Sequence, residues 1–336
     1  MASQDEFGFI RAMLARLPAP KEDVIVGYGD DAAVVASYAG EMLLTTDAMV
    51  EDVHFAKNTM SPFDVGYKCV AASISDIAAM GGIPKHVLMT LALPKDIEES
   101  FLVALYDGIA SICTAMNCSV VGGDVVSTVA GMTITSTLTG EVESGTALLR
   151  SGAKPGDVLF ATGYLGDAAG GLYVLQHPGV ILPPDDANHL VRAHQRPVPQ
   201  VSAGRVLRSV GASSCNDVSD GLASELNEIA IASSVRLRLD AERIPISPAL
   251  KALARSTGQD DLAFALYGGE DYQLVGTATP FAFARALAGA DASGIRLVQI
   301  GRVEAGDGVI LRHPDGRLDV LQPGGYNHFR SHTEGV

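Results

Sequence analysis

Cysteine is scarce in this chain: 4 in 336 residues, at Cys69, Cys113, Cys118 and Cys215, with no C-x-x-C pair. The expected state is buried, reduced thiol, ahead of a disulfide framework or a zinc site. Positive charge is also in short supply, 24 Lys and Arg against 39 Asp and Glu, for a formal net charge of −15. That balance argues against nucleic acid or an anionic membrane as the main partner. Long apolar runs are missing, because Asp76 and several serines interrupt the best candidate for a membrane span. The acidic start, Met1 to Glu6, lacks the basic region of a signal peptide. A soluble, cytoplasmic protein is expected. Several nucleotide and metal signatures are absent too: there is no G-x-x-x-x-G-K-[ST], no G-x-G-x-x-G after a strand, no H-E-x-x-H and no protein-kinase motif set. No low-complexity tract or fixed-period repeat occurs.

What is present reads as an ordinary globular chain, 47% hydrophobic and 19% charged, long enough for two domains. Phe7, Ile10, Leu14 and Leu17 keep a helical period over residues 6–17. Residues 27–36 read as a loop running into a strand, and 41–46 as a second strand. Ser61-Pro62 is a helix start, serine as N-cap and proline at the first helical position. That helix runs through Cys69 and Asp76 until Gly81-Gly82. A strand at 86–93, a long helix at 97–116, and strands at 119–122 and 132–142 follow. The turn Ser151–Asp157 marks a domain boundary and divides the chain into 1–148 and 149–336. Beyond it come a strand at 158–162, a glycine-rich turn at 163–171 leading into a helix, and a proline-rich stretch, 178–199, expected as a surface excursion. A helix at 222–233 and strands at 235–239, 272–277, 297–303 and 309–312 complete the reading. Strands and helices mix without strict alternation, so two α+β domains are expected rather than a doubly wound sheet.

The acids cluster beside glycines or at strand ends: Gly29-Asp30-Asp31, Thr45-Thr46-Asp47, Gly122-Gly123-Asp124, Asp217-Val218-Ser219-Asp220 and Gly268-Gly269-Glu270-Asp271. A carboxylate just past a strand projects off the sheet edge, and adjacent glycines let backbone and ligand approach closely. Several such ends can converge on hard cations that prefer oxygen, as magnesium does. For each motif alone a turn is the favoured reading; five together shift the balance toward a site. Asp76 is the most informative, since it lies in a helical stretch of small and apolar residues, where a buried carboxylate is costly unless a cation neutralises it. A stripe from Ser73 to Asp76 simply facing water is the plainer alternative. Gly163-Tyr164-Leu165-Gly166-Asp167 is a strand-to-helix turn whose N–H groups suit an anion, with a plain turn favoured.

These motifs resemble the thiamine-monophosphate kinase family, within the group that includes aminoimidazole ribonucleotide synthetase. The matching stretches are G-Y-G-D-D-A-A (27–33), T-T-D-A-M-V-E-D-V-H-F (45–55), S-D-I-A-A-M-G-G-I-P-K (75–85), G-G-D (122–124), L-R-S-G-A-K-P-G-D (149–157), D-V-S-D-G-L (217–222), G-G-E-D-Y-Q-L (268–274) and G-Y-N-H-F (325–329). The resemblance implies a two-domain synthetase-like fold, an N-terminal sheet domain that dimerises and a larger C-terminal α/β domain. It implies that Asp31 (or Asp30), Thr45, Thr46, Asp47, Asp76, Asp124, Asp217 and Asp220 ligate several Mg2+ ions. Tyr106, Gly123, Asp124, Arg150 and Ser219 would contact ATP, and His54, Glu270 and Tyr326 would hold thiamine monophosphate.

The chemistry suits such residues. A phosphate acceptor is already ionised near neutral pH, so no general base is expected. The difficulty is bringing one polyanion against another, which metal ions relieve in a direct in-line transfer. Arg150 suits a bidentate phosphate contact, with a solvated arginine in a linking turn as the even alternative. Glu270 and Tyr326 suit the thiazolium cation by charge and by cation–π contact, although on sequence alone a turn glutamate, a half-buried tyrosine and, for His54, a structural histidine are the favoured readings. Relatives that act on selenide or a carbamoyl group rely on a cysteine near one terminus, and here no cysteine precedes Cys69 or lies in 331–336. The aminoimidazole enzyme remains as a rival that the T-T-D…H-F and G-G-E-D-Y patterns do not support, and a non-catalytic metal–nucleotide module is the other.

Overall fold

The computed structural model describes residues 13–27 and 32–325. Asp30, Asp31, Tyr326 and most of the 6–17 helix lie outside them. Two compact units emerge, Met1–Leu148 with Gln195–Ser209, and Leu149–His194 with Val210–Val336.

The first unit begins with a small antiparallel pair, β1 (Val24–Val26) and β2 (Val34–Val35). Its main sheet has four strands: β3 (Glu41–Val50), β4 (Ile83–Pro94), β5 (Ser119–Thr128) and β6 (Thr133–Val142), in the order β3-β6-β4-β5. Helix α1 (Pro62–Ala79) starts on a capping box, in which Ser61 and Asp64 satisfy each other's backbone N–H groups. Helix α2 (Glu99–Met116) carries the chain across to β5, which pairs parallel with β4. The helices approach closely because Gly66 and Gly108 stand at their crossing. A Cβ at Gly66 would lie 2.1 Å from the Leu105 carbonyl oxygen, and one at Gly108 2.0 Å from that of Phe63. Val70, Ile74 and Ile77 of α1 pack with Val87, Leu91, Ile134 and Leu138 of the sheet. The opposite sheet face is open, with Met42, Leu44, Leu88 and Val126 each more than 40% exposed.

Helix α2 has the length and apolarity of a membrane span, a candidate that sequence reading passed over. Its Leu102, Leu105, Ile109 and Ile112 are fully buried in the core of this unit, as in a globular core helix.

In the second unit a seven-stranded sheet runs β13-β12-β9-β11-β7-β10-β8. From residue 158 on, the elements in chain order are β7 (Val158–Thr162), α3 (Asp167–Gln176), α4 (Pro184–Gln195), α5 (Val201–Val210), β8 (Ser214–Asp217), α6 (Leu222–Ser233) and β9 (Arg236–Asp240). They continue with α7 (Pro248–Thr257), α8 (Asp261–Tyr267), β10 (Leu274–Ala278), α9 (Pro280–Ala292), β11 (Leu297–Glu304), β12 (Gly308–Arg312) and β13 (Leu318–Val320). Only β12 with β9 pairs parallel, which fits a mixed α+β architecture. Leu222, Leu226 and Ile229 of α6 sit in the core with Leu237, Val275 and Ile300.

Helix α5 belongs by its contacts to the first unit, although it lies beyond residue 148. Its Gly204 fits against α1 so closely that a Cβ would meet the Ala78 carbonyl oxygen at 2.1 Å. Arg196 pairs with buried Asp64 at 2.5 Å and stacks over Phe63 at 4.4 Å. Arg205 grips Glu143 with both guanidinium ends.

Two expectations are corrected. Residues 178–199 are not merely an excursion, because α4 occupies 184–195 and buries Leu190 completely against Leu250 and Leu253. Its prolines flank the helix instead of interrupting it, and Pro184 opens it. Strand β5 runs past Gly122 to Thr128, since a side chain at Gly123 would lie 1.9 Å from the Met89 carbonyl oxygen. That glycine pair allows close strand contact; it does not end the strand.

Candidate active site

Alternation along β3 decides which of its residues can cooperate. Thr45 and Asp47 are half-buried toward α1, whereas Thr46 points to the open face and bonds the Thr137 hydroxyl at 3.0 Å. From the last turn of α1, half-buried Asp76 accepts the Thr45 hydroxyl. One turn earlier Ser73, fully buried, donates to Asp47 at 2.8 Å and contacts Ser136 at 2.5 Å. Burial, then the charge of Asp76, pushes the Asp47 carboxyl up to about 6, against the Ser73 hydrogen bond. The result is two acids side by side with hydroxyls around them, a hard-oxygen donor set that favours a cation. Among the described residues, no three or more His, Cys, Asp or Glu side chains form a group able to hold a metal.

Other expected residues of this unit fall elsewhere. Asp124 is exposed on β5, level with Thr90 in the parallel register. It therefore shares the open face with Thr46, on the side of the sheet away from Asp47 and Asp76. The structure does not bring these four together. Tyr106 is a core residue of α2, 6% exposed, its hydroxyl pushed up to about 12 by burial. His54 lies in the turn after β3, where its Nδ1 accepts the Val50 N–H at 3.0 Å, so the ring proton sits on Nε2.

In the second unit three motifs converge. Asp217 ends β8 and is buried, while Asp220, three residues on, is exposed. The loop between them is laced to the G-G-E-D-Y-Q segment. Glu270 N–H donates to Ser219 O at 2.7 Å, Tyr272 N–H to Val218 O at 2.9 Å, and Val218 N–H to Gln273 O at 2.7 Å. Glu270 and Tyr272 take left-handed φ values of 67° and 49°, a strain that such hydrogen bonding maintains. Gly325 closes on the same loop, since a Cβ there would lie 1.9 Å from the Asp220 carbonyl oxygen. Glu270 also lies 3.4 Å from the His194 ring.

The glycine-rich turn before α3 does hold an acid group, but one of this chain. Its Gly166 and Ala168 N–H groups donate to the Asp271 carboxyl at 2.6 and 3.1 Å. Burial pushes that carboxyl up to about 8.

Arg150 is anchored, not free in a linker. Its Nε donates to Asn216 Oδ1 at 3.0 Å, and an Nη lies 3.9 Å from exposed Glu228. Asn216 in turn donates to Glu225 at 2.5 Å, and Glu225 also accepts the Ser219 hydroxyl at 3.3 Å and the Asp220 N–H at 3.2 Å. Glu225 is 4% exposed, and burial pushes its carboxyl up to about 7. Sequence reasoning missed Ser73, Asn216 and Glu225. The available signals were a serine one turn before Asp76 and an acid in the first turn of the helix that follows the Asp217–Asp220 motif.

Set against known proteins, residues 29–142 match the N-terminal domain, and 154–314 the C-terminal domain, of AIR synthase related protein. The thiamine-monophosphate kinase of Bacillus subtilis is 39% identical over 97% of this chain and 100% of its own length. The chain belongs to this family, in its thiamine-monophosphate kinase branch. Among solved family structures, the thiamine-monophosphate kinase from Stenotrophomonas maltophilia superposes with a TM-score of 0.83 at 34% identity, covering 93% of this chain and 97% of the other. AaThiL complexed with AMPPCP and TMP superposes at 0.78 and 32% identity, covering 98% and 100%.

Proposed function

We propose that this chain phosphorylates thiamine monophosphate to thiamine diphosphate, taking the γ-phosphoryl group of ATP by direct in-line transfer. This is the last step of thiamine diphosphate biosynthesis. The observation that carries the reading is the Asp47–Asp76 pair with its hydroxyl neighbours, in a chain that aligns end to end with thiamine-monophosphate kinases. Two adjacent acids, one held up to about 6 by burial and its neighbour, make a site whose charge a divalent cation would complete.

Magnesium, when bound, supplies positive charge between the ATP polyphosphate and the acceptor phosphate and supports the departing ADP. Asp47, Asp76 and Thr45 would hold it in the first unit, and Asp217 and Asp220 in the second, with Asp31 in the same role; Asp124, on the other face of the sheet, is not brought to the Asp47–Asp76 pair. No group on the chain needs to remove a proton, because the acceptor oxygen is already anionic. Arg150, fixed through its Nε, and Ser219 would contact the nucleotide phosphates from the second unit; Gly123 and Tyr106 are the ATP contacts proposed for the first. His54 and Glu270 would orient thiamine monophosphate, the latter set by its left-handed backbone, with Tyr326 against the thiazolium.

The protein acts in the cytoplasm as a homodimer joined through the open face of the N-terminal sheet. Leu44 at 65% exposure, Met42 and Leu88 form an apolar surface there that a second copy would bury. Residues 1–148 would form a domain that carries metal, nucleotide and dimer contacts, and 149–336 a second that adds Arg150, Asp217, Ser219 and Asp220 to them. The test is purified protein with Mg-ATP and thiamine monophosphate, following ADP and thiamine diphosphate together. Folded protein that releases no diphosphate product overturns the reading, and ATP binding without turnover would leave only a nucleotide-binding module.

A further inference from the structure

The hydrogen-bond chain from Arg150 to Glu225 has a direction that chemistry imposes. A guanidinium can only donate, so of the two amide atoms of a residue set between Arg150 and Glu225, the oxygen must face Arg150. Asn216 lies between them, so its Oδ1 must face Arg150 and its NH2 must face Glu225. Glu225 thus sets the amide orientation of Asn216, and that orientation gives Arg150 Nε its acceptor. The other oxygen of Glu225 takes the Ser219 hydroxyl and the Asp220 N–H, so one buried carboxylate ties down the arginine and the D-V-S-D loop together. The N-cap of α6, Gly221, offers no side chain for the helix start, which leaves Glu225 as the side-chain acceptor for this loop's donors.

We propose that Glu225 is a positioning residue for nucleotide binding: through Asn216 it holds the Arg150 guanidinium in the orientation that meets the ATP phosphates. The inference rests on the reading of Arg150 as an ATP contact. It gives the isosteric change Glu225→Gln a specific consequence. If the new NH2 faces Asn216, that amide must turn over and set its own NH2 against Arg150 Nε–H. The arginine then loses its acceptor. If the new NH2 faces the loop, the Asp220 N–H loses its acceptor instead.

The experiment is steady-state kinetics on the full-length enzyme, with KM for ATP, KM for thiamine monophosphate and kcat measured separately. The variants are Arg150→Ala, Asn216→Ala, Glu225→Gln and the double variant Arg150→Ala/Glu225→Gln, each checked for folding by thermal melt. Arg150→Ala should raise KM for ATP about tenfold, and Asn216→Ala and Glu225→Gln should each raise it about three- to tenfold, with KM for thiamine monophosphate within about twofold. The double variant should match Arg150→Ala within about twofold, because the residues act in series. If the two losses multiply, or if Asn216→Ala and Glu225→Gln leave KM for ATP unchanged while Arg150→Ala raises it, the inference is overturned and the role of Arg150 stands. If Arg150→Ala itself leaves KM for ATP unchanged, the underlying reading fails as well. Should Glu225→Gln not fold, Asn216→Ala decides the question alone.

Discussion

Asp47 in the first unit and Glu225 in the second are both pushed upward mainly by burial, to about 6 and about 7. Their surroundings differ in kind. Glu225 accepts from an amide, a hydroxyl and a backbone N–H, so its charge is met by fixed donors of the fold. Asp47 has one serine hydroxyl, and beside it stands a second acid, Asp76, whose charge raises it further. A similar shift therefore marks a strut in one place and, on the proposed reading of the acid pair, a cation site in the other. Burial alone does not distinguish them; the count and kind of donors does.

The largest expected effect separates the two by activity. Asp47→Asn or Asp76→Asn should lower kcat/KM by about 100-fold or more, measured by coupled ADP release. Opposite signs of stability come next, read from urea unfolding without ligand. Glu225→Ala strands three donors and should cost about 2–4 kcal/mol, whereas Asp47→Asn relieves repulsion and should hold or raise stability by about 1–2 kcal/mol. If both acids destabilise when replaced, the distinction drawn above collapses.

A subtler comparison uses pH. The folded carboxyl of Asp47 titrates near 6 against an ordinary 3.8, so between those values the folded state binds more protons than the unfolded one. Stability from this group is therefore highest at low pH and falls as pH rises through that window. The melting temperature of Asp47→Asn should gain on that of the parent chain between about pH 4 and pH 6 and then stay parallel. The smallest effect belongs to a shift with another origin. His189 is raised first by its 2.7 Å hydrogen bond to Asp167, and half of its side chain is exposed. Its contribution is present at low pH and lost as pH rises through its folded value. His189→Gln should thus lower the melting temperature by about 1–2 °C at pH 6 and by less at pH 8.

Some of this was legible in the residues and some was not, for physical reasons. Ser61-Pro62 announces α1 because capping is local chemistry, and the structure adds the reciprocal bond from Asp64. Asp76 stood out because nothing around it in the chain shares its charge. Strand alternation separates Thr45 and Asp47 from Thr46, yet which set faces the helices depends on packing that no local pattern states. Gly122-Gly123 resembled a strand end because glycine serves both turns and close strand contact. Arg150, Asn216 and Glu225 are separated by up to 75 positions in the numbering, and only the folded sheet makes them neighbours.

The path of the chain through α5 bears on how such a protein can be taken apart or recombined. Residues 195–209 complete the first unit from the far side of α3 and α4, with Gly204 seated on Ala78 and Arg196 neutralising Asp64. A gene cut at residue 148 would yield a front half missing one of its own helices, with Asp64 deprived of its cation. Exchange of halves between relatives would then succeed only where the incoming second half carries a helix that fits the resident first. The two units are thus inherited as a matched pair, and a workable split would have to graft 195–209 onto the front piece.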